Sequence, residues 1–189
     1  MAERVGLMTI EEFVRLYDKE GPFELVNGER ITLSPNVSEH GVITMQLVSA
    51  LLDYQKTTHR SQVFTEMPFV LVEESDWVKG SRVPDLMVFL EDRLSAHKAA
   101  TPDWGQKPFL LAPDIAVEII SPNDLYGDVD DKVKGYLDDG VRNVWVINPR
   151  RKNVTIYRPG RFEILTGEDT LRGGEILPGF SLALAELFA

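Results

Sequence analysis

The stretch PDIAVEII, residues 113–120, decides the fold. A strand alternates its side chains between two faces. On one face of this segment all the residues are aliphatic, and on the other Glu118 follows Ala116. A short segment that is apolar on both faces is typical of an inner strand. The sequence therefore predicts a buried strand, Asp114 to Ile120, that carries a carboxylate into the interior.

Downstream, residues 128–139 predict a helix that ends at Gly140, followed by a strand in NVWVIN, residues 143–148. Lys132 lies at the border of the apolar face of this helix, on one stripe with Tyr136. A strand, a helix and a second strand in this order indicate an α/β domain. Lys132 can then reach toward the strand that carries Glu118, although a lysine lying along the surface is the alternative.

Upstream, RVPDLMVF (residues 82–89) predicts another apolar strand, on which Asp85 shares a face with Met87 and Phe89. An unpaired carboxylate on such a strand would cost several kcal/mol, so each acid needs a partner. For Asp85 or Glu118 alone, a structural salt bridge is a sufficient explanation. Together, on adjacent strands, they make a metal site a competing explanation.

The remaining pattern predicts further elements around this unit. They are a capped helix from Thr9, a hairpin FELV-NG-ERITL, a second helix with an apolar face of Val42, Met45, Leu47, Val48, Leu51 and Leu52, a long strand Val63 to Val72, a hairpin of residues 143–148 and 153–157, a strand at FEIL and a final helix GF-SLALAELF. The basic turn Arg150, Arg151 and Lys152 is interpreted as a solvated hairpin turn.

The composition limits the function. Thirty acidic and twenty basic residues give a net charge of −10, which counts against tight non-specific duplex binding. It leaves room for a nucleic-acid enzyme whose acidic excess gathers at a cation site. The sequence has no cysteine, no signal-peptide pattern and no apolar run long enough for a bilayer. We therefore predict a cytoplasmic protein without membrane contact.

Four segments resemble the Uma family of proposed restriction endonucleases: RVPDLMVF, PDIAVEIISPND, DKVKGYLDDGVRNVWVINP and ILPGFSLALAELF. The resemblance runs from about Thr9 to the C-terminus, and the ordered set is more specific than any one motif. It implies the PD-(D/E)XK nuclease fold, a restriction-endonuclease-like α/β architecture in which helices flank a mixed β-sheet. The sequence has no internal repeat, low-complexity tract or linker-like stretch, which predicts a single domain over residues 1–189.

The resemblance implies roles for individual residues. Asp85 matches the aspartate of the PD motif and Glu118 the acid of the (D/E)XK strand, and both are metal ligands in this fold. The lysine that usually follows two positions later is replaced by Ile120, and Lys132 matches the lysine that some variants carry on the next helix. We expect these three to be catalytic, and the main-chain carbonyl of Ile119 to join the two acids in holding Mg²⁺, with Mn²⁺ as an alternative.

Two residues are secondary candidates. Glu24 lies in the early hairpin, where some relatives of this fold place an acid near the metal, and a solvated strand charge is the alternative. His40 resembles a histidine often seen in the family, and a structural or helix-start role is the alternative to catalysis. Asp114 lies roughly 13 Å along the strand from Glu118, too far to join one metal centre.

The sequence thus predicts a metal-dependent endonuclease that hydrolyses DNA phosphodiester bonds as a homodimer, with exposed strand edges at NVTIY and FEIL as the interface. The main rival is a catalytically silent nuclease-fold module for binding or oligomerisation, which the acidic balance favours. A carboxylate-pair hydrolase acting on sugars would leave Lys132 without a role.

Overall fold

The computed structural model describes residues 3–4, 8–33, 35, 37–73, 76–121 and 126–189. The helices are α1 Ile10–Glu20, α2 Ser38–Thr58, α3 Glu91–Ala100, α4 Tyr126–Asp138 and α5 Leu184–Leu187, with a 3₁₀ turn at Trp104–Gln106. The strands are β1 Glu3–Arg4, β2 Met8–Thr9, β3 Phe23–Val26, β4 Glu29–Thr32, β5 Ser61–Thr65, β6 Phe69–Val72, β7 Trp77–Arg82, β8 Leu86–Leu90, β9 Ile115–Ile119, β10 Asn143–Asn148, β11 Asn153–Arg158, β12 Arg161–Thr166, β13 Thr170–Arg172 and β14 Ser181–Ala183. No helix in the described part of the chain is long and apolar enough to cross a membrane.

A mixed six-stranded sheet, in the order β12-β11-β10-β9-β8-β5, carries the segments that the sequence singled out. Strands β9 and β10 are parallel and are joined through α4, whereas their neighbours pair antiparallel. Ile115 and Val117 pack in one apolar core with residues of α2, and Ala116 packs in another with Val133 of α4. The prediction of an inner strand covered on both faces is therefore confirmed.

The sequence did not predict a second sheet, which has the order β1-β4-β3-β7-β2, with β6 paired to β7. Its β3–β4 hairpin was predicted, and Asn27 and Gly28 form its turn with φ values of 52° and 75°. Positive φ at both central positions is what a tight hairpin turn requires. This sheet brings Glu24 of β3 close to the start of β8.

Two predicted strands are each divided between the sheets. The segment Val63 to Val72 breaks at Glu66, which has a φ of 52°, so that β5 joins the mixed sheet and β6 joins the second. The predicted strand of residues 82–89 is divided in the same way: Arg82 is the last residue of β7, and β8 begins at Leu86. Pro68 and Pro84 lie in the breaks, and a proline has no N–H to donate to a strand ladder. As a result, Asp85 lies just before β8 and not within a strand.

The helices also differ in part from their prediction. The Thr9–Glu12 capping box of α1 is confirmed. On α2 the buried stripe is narrower than predicted, because Val42 and Met45 are 51% and 65% exposed while the residues at i, i+3 and i+4 spacing are buried: His40, Ile43, Leu47, Leu51 and Tyr54. The segment predicted as a final helix is divided, because Ser181–Ala183 pairs with β13 before the single turn of α5.

Element ends shift by small amounts. The predicted strand Asp114 to Ile120 is β9, Ile115–Ile119, and the helix predicted from Asp128 begins at Tyr126. The turn after β10 that contains Arg150, Arg151 and Lys152 is exposed and links β10 to β11, as predicted.

Candidate active site

Asp85 and Glu118 face each other at one end of the β8–β9 pair. The antiparallel register pairs Leu86 with Val117, and its continuation by one residue sets Asp85 across from Glu118. The Oδ2 atom of Asp85 accepts a 2.7 Å hydrogen bond from the main-chain N–H of Ile119. The two acids that the sequence singled out are therefore close together, and Asp85 is held in place by the strand that carries the other.

Helix α4 provides two partners for Glu118. The Nζ atom of Lys132 lies 2.9 Å from Oε2 of Glu118. Tyr136, one turn further along, donates a short hydrogen bond from its hydroxyl to Oε1. Residues at i and i+4 share a helix face, so the helix turns both side chains toward β9. The structure thus brings together Asp85, Glu118 and Lys132, whose catalytic roles stay predictions.

Both secondary candidates adjoin this cluster. Glu24 is only 1% exposed, and its Oε1 accepts a 2.9 Å hydrogen bond from the main-chain N–H of Val83. Its interpretation as a solvated strand charge is wrong, because the second sheet buries it. His40 is 3% exposed, and its Nε2 lies 3.0 Å from Oδ1 of Asp85.

The buried acids make ionisation at this site costly. Burial raises the pKa of Glu118 to about 7. The Lys132 ammonium opposes that rise, whereas the charges of Asp85 and Glu24 add to it. The hydrogen bond from Tyr136 is a further, smaller influence that favours the carboxylate.

The basic groups of the cluster are stabilised in their charged forms. Burial is the largest single influence on the pKa of Lys132 and would lower it. The charge and hydrogen bond of Glu118, together with the charges of Glu24 and Asp85, outweigh burial and raise the pKa. Burial is also the largest single influence on His40 and disfavours its imidazolium form. The hydrogen bond and charge of Asp85, together with the charges of Glu66 and Glu118, outweigh burial, so that the pKa of His40 is raised. Each cation is therefore stabilised by a carboxylate of the cluster.

The cluster contains oxygen donors of the kind that a hard divalent cation prefers. Three buried or half-buried acids, Glu24, Asp85 and Glu118, face one lysine and one histidine, which leaves an excess of oxygen donors and negative charge. Carboxylate oxygens are the ligands that Mg²⁺ prefers. Their internal partners keep them paired, and within the described ranges no group of three or more histidine, cysteine or acidic side chains is arranged as a metal cluster.

Other acidic and basic residues of this region lie elsewhere. Asp114 is fully buried in ion pairs with Arg93 and Arg142, at 2.9 and 3.2 Å. Lys134 is exposed and pairs with Asp138 on the same helix. Asp128 is exposed. Glu66 is the exception in this group: it is exposed but adjoins the cluster, because its main-chain N–H donates a 3.1 Å hydrogen bond to the carbonyl of Asp85 and its charge raises the pKa of His40. Of the SPND segment that follows β9, residues 122–124 lie outside the described part of the chain.

Sequence reasoning gave no role to Tyr136 or to Arg82. Arg82 ends β7, donates a 2.9 Å hydrogen bond to Asp139 and places its guanidinium over the Tyr136 ring. The one feature of the sequence that pointed to Tyr136 was its i, i+4 spacing from Lys132, which places both side chains on one face of the helix. The approach of Arg82 could not have been anticipated, because it depends on the second sheet.

The mixed sheet, its inner carboxylates and the lysine of the crossover helix define an α/β protein of the restriction-endonuclease-like class. The chain belongs to the Uma2 family, described as "Putative restriction endonuclease", whose family model matches residues 10–185. A crystal structure of a putative nuclease of the DUF820 family from Anabaena variabilis is similar, with a TM-score of 0.77 and 25% identity over 96% of this chain and 97% of that one. No curated protein matches the sequence. The predicted family and fold class are thereby confirmed.

Proposed function

We propose that this protein is a divalent-metal-dependent endonuclease that hydrolyses DNA phosphodiester bonds. The observation that carries the proposal is the contact of 2.9 Å between Lys132 and Glu118, on the strand beside Asp85. Membership in a family described as restriction endonucleases supports a nuclease activity. DNA as the substrate, Mg²⁺ as the metal and residues 1–189 as one domain are part of the proposal, and a cytoplasmic location stays a prediction from the composition.

Asp85 and Glu118 would hold the cation, together with the main-chain carbonyl of Ile119. Glu24 is a further carboxylate of the same cluster, since its charge acts on both Glu118 and Lys132. A bound Mg²⁺ or Mn²⁺ supplies polarisation of a phosphate oxygen and a bound water of lowered pKa. His40 and the Ile119 N–H hold the Asp85 carboxylate in one orientation. The carboxylate therefore does not have to be ordered when a cation binds.

Lys132 would stabilise the charge that builds on the scissile phosphate. Its side chain is 33% exposed, whereas the side chain of Glu118 is 11% exposed, so Lys132 is the more solvent-accessible member of the pair. A positive group in this position meets an anionic substrate first and remains charged because its pKa is raised. Such preorganised electrostatic groups contribute about 100- to 1000-fold to a rate.

The rival function, a catalytically silent binding or oligomerisation module, is favoured by one specific observation. Both oxygens of Glu118 and both oxygens of Asp85 already have partners within the chain. In a silent module these pairs would be permanent salt bridges of the core. In the enzyme, Lys132 would exchange part of its contact with Glu118 for the phosphate.

A nuclease assay distinguishes the two. Purified wild-type protein, Glu118→Gln and Lys132→Met would be incubated with duplex DNA, single-stranded DNA and RNA in the presence of Mg²⁺, Mn²⁺ or EDTA. Lys134→Met is the matched control, because it removes an exposed lysine two residues away on the same helix. We expect metal-dependent cleavage of DNA by the wild type and the control, and a loss of about 100-fold or more in the other two. Equal cleavage by all four proteins, or none by the wild type, would refute the proposal.

The prediction of an exposed strand edge at NVTIY is wrong, because β11 is paired with β10 on one side and with β12 on the other. We further propose that two copies pair along β12, the strand at one end of the mixed sheet. Phe162 and Ile164 lie on one face of this strand and are 64% and 52% exposed. A two-fold axis at Phe162 would set Arg161 of each copy opposite Glu163 of the other, an oppositely charged cross-strand pair. Light scattering after size exclusion should give twice the mass of 21.3 kDa for the wild type and the monomer mass for Phe162→Glu. A monomeric wild type would contradict this arrangement.

A further inference from the structure

Tyr136 occupies a position that no role assigned above requires. Its side chain is fully buried, and its hydroxyl donates a hydrogen bond to Oε1 of Glu118 while Lys132 binds Oε2. The two oxygens of the carboxylate are thus held by different residues of one helix. A carboxylate fixed at both oxygens cannot rotate about its terminal bond, whereas one held by a flexible lysine alone can.

The Tyr136 ring is itself well fixed. It packs against Phe69, with the ring centroids 6.2 Å apart, and the guanidinium of Arg82 lies 6.0 Å above it. Arg82 is held in turn by Asp139 at 2.9 Å. Gly135 makes this approach feasible, because a Cβ atom at that position would collide with the Arg82 guanidinium.

We propose that Tyr136 is a positioning residue that holds the Glu118 carboxylate in the orientation required for binding the divalent cation. This inference rests on the proposed function, because it assumes that Glu118 is a metal ligand. Tyr136 touches neither the cation nor the substrate and acts through Glu118. Partners that orient a ligand from behind in this way contribute about 10- to 100-fold to metal affinity or activity.

The direct test is Tyr136→Phe, which keeps the ring and its packing and removes only the hydroxyl. Tyr54→Phe is the matched control: Tyr54 is also buried, and its hydroxyl donates to the main-chain oxygen of Pro178, in the other apolar core. Both variants lose one hydrogen bond, so a loss of metal-free stability alone does not distinguish them.

The readouts are the Mn²⁺ dissociation constant, from the electron paramagnetic resonance signal of free Mn²⁺, and the cleavage rate as a function of Mn²⁺ concentration. We expect the Mn²⁺ dissociation constant of Tyr136→Phe to rise about 10- to 100-fold, and that of Tyr54→Phe to stay at the wild-type value. Excess Mn²⁺ should restore the rate of Tyr136→Phe but not that of Glu118→Gln, because only the latter lacks the ligand.

The outcomes separate this inference from the proposed function. If the wild type binds Mn²⁺ and cleaves DNA, and Tyr136→Phe matches Tyr54→Phe in affinity, the positioning role is overturned while the nuclease assignment stands. A Tyr136→Phe variant that loses activity at wild-type Mn²⁺ affinity also overturns it. A wild type that binds no Mn²⁺ overturns both.

Discussion

Asp114 and Glu118 lie four residues apart, at the two ends of β9 and on one face, and each is a buried acid. Asp114 is neutralised by two arginines, and its other oxygen accepts a hydrogen bond from the N–H of Leu90. Glu118 has a single lysine as its cationic partner, and two further acids act on it. Cations therefore exceed acids around Asp114, whereas acids exceed cations around Glu118.

This difference in local charge distinguishes a structural carboxylate from a carboxylate that can bind a metal ion. A buried acid whose charge is fully balanced stabilises the fold and gains nothing from an added ion. A buried acid in a cluster with excess negative charge has a raised pKa and is stabilised by any cation that binds. The sequence alone could not draw this distinction, because Arg93, Arg142 and Glu24 all arrive from other elements.

The largest expected difference between the two acids is in activity. Replacement of Glu118 by Gln should lower kcat/KM for DNA cleavage about 100- to 1000-fold, because the ligand charge is lost. Asp114→Asn should retain the wild-type rate per folded molecule, since its partners lie away from the cluster. Steady-state cleavage assays below the melting temperature of each variant would measure this. Equal losses of kcat/KM in both variants would show that the two acids do not differ in their contribution to activity.

The two acids should also differ in how stability depends on pH. In the folded, metal-free protein the pKa of Glu118 is about 7, above its ordinary value of 4.5, so the folded state binds a proton more tightly than the unfolded state. Its contribution is fully present below pH 4.5 and is lost as the pH rises to about 7. Relative to Glu118→Gln, the free energy of unfolding of the wild type should therefore fall by up to about 3 kcal/mol over this range.

Urea unfolding of both proteins at several pH values with EDTA present would measure that difference. The other ionisable groups are common to the wild type and the variant, but the charge of Glu118 also raises the pKa of His40 and of Lys132. The difference therefore measures Glu118 together with its coupling to these two neighbours. A difference that is constant with pH, or one that grows as the pH rises, would show that the Glu118 carboxyl is not held in an environment that favours its proton.

Stability at Asp114 should respond to substitution by a smaller amount. Asp114→Asn removes the charge that two arginines share, but Arg93 and Arg142 are 37% and 49% exposed and can turn toward water. We expect a loss of about 2 kcal/mol, below the 3–5 kcal/mol or so that follows when the remaining charge stays buried. Denaturant unfolding would measure this loss. An unchanged denaturant concentration at the midpoint would show that Asp114 does not stabilise the fold.

The smallest effect should come from Arg142→Gln. Its guanidinium is half exposed, and Arg93 remains to neutralise Asp114, so the loss should stay at or below about 1 kcal/mol. A loss as large as that of Asp114→Asn would show that the two arginines act as one unit. The same unfolding titration serves for both variants.

Alternation along β9 and helical spacing along α4 were sufficient to predict that Glu118 and Lys132 converge, because both elements are regular and are adjacent in sequence. Asp85 was correctly predicted to lie beside Glu118. Its assignment to a strand was wrong, because the chain changes sheets at Pro84. The burial of Glu24 could not be predicted from its own hairpin. It follows from the pairing of β3 with β7, and Leu25 and Ser81, the residues that pair there, are 56 positions apart.

The same reason explains the errors on α2. Val42 and Met45 are apolar, and a local pattern assigns apolar residues to the core. Whether a helix face is covered depends on which sheet it packs against, and α2 buries only the stripe that includes Leu47 and Leu51. Local sequence therefore predicted the main helices, most strands of the mixed sheet and the main acids, and long-range contacts determined their partners.

The central claim, that the Glu118 cluster is a cation site and the Asp114 cluster is not, is tested most directly by calorimetric titration of Mg²⁺ into the wild type, Glu118→Gln and Asp114→Asn at pH 8. We predict saturable binding by the wild type and Asp114→Asn with similar affinity, and none by Glu118→Gln. Absence of binding by the wild type, or undiminished binding by Glu118→Gln, would contradict the account.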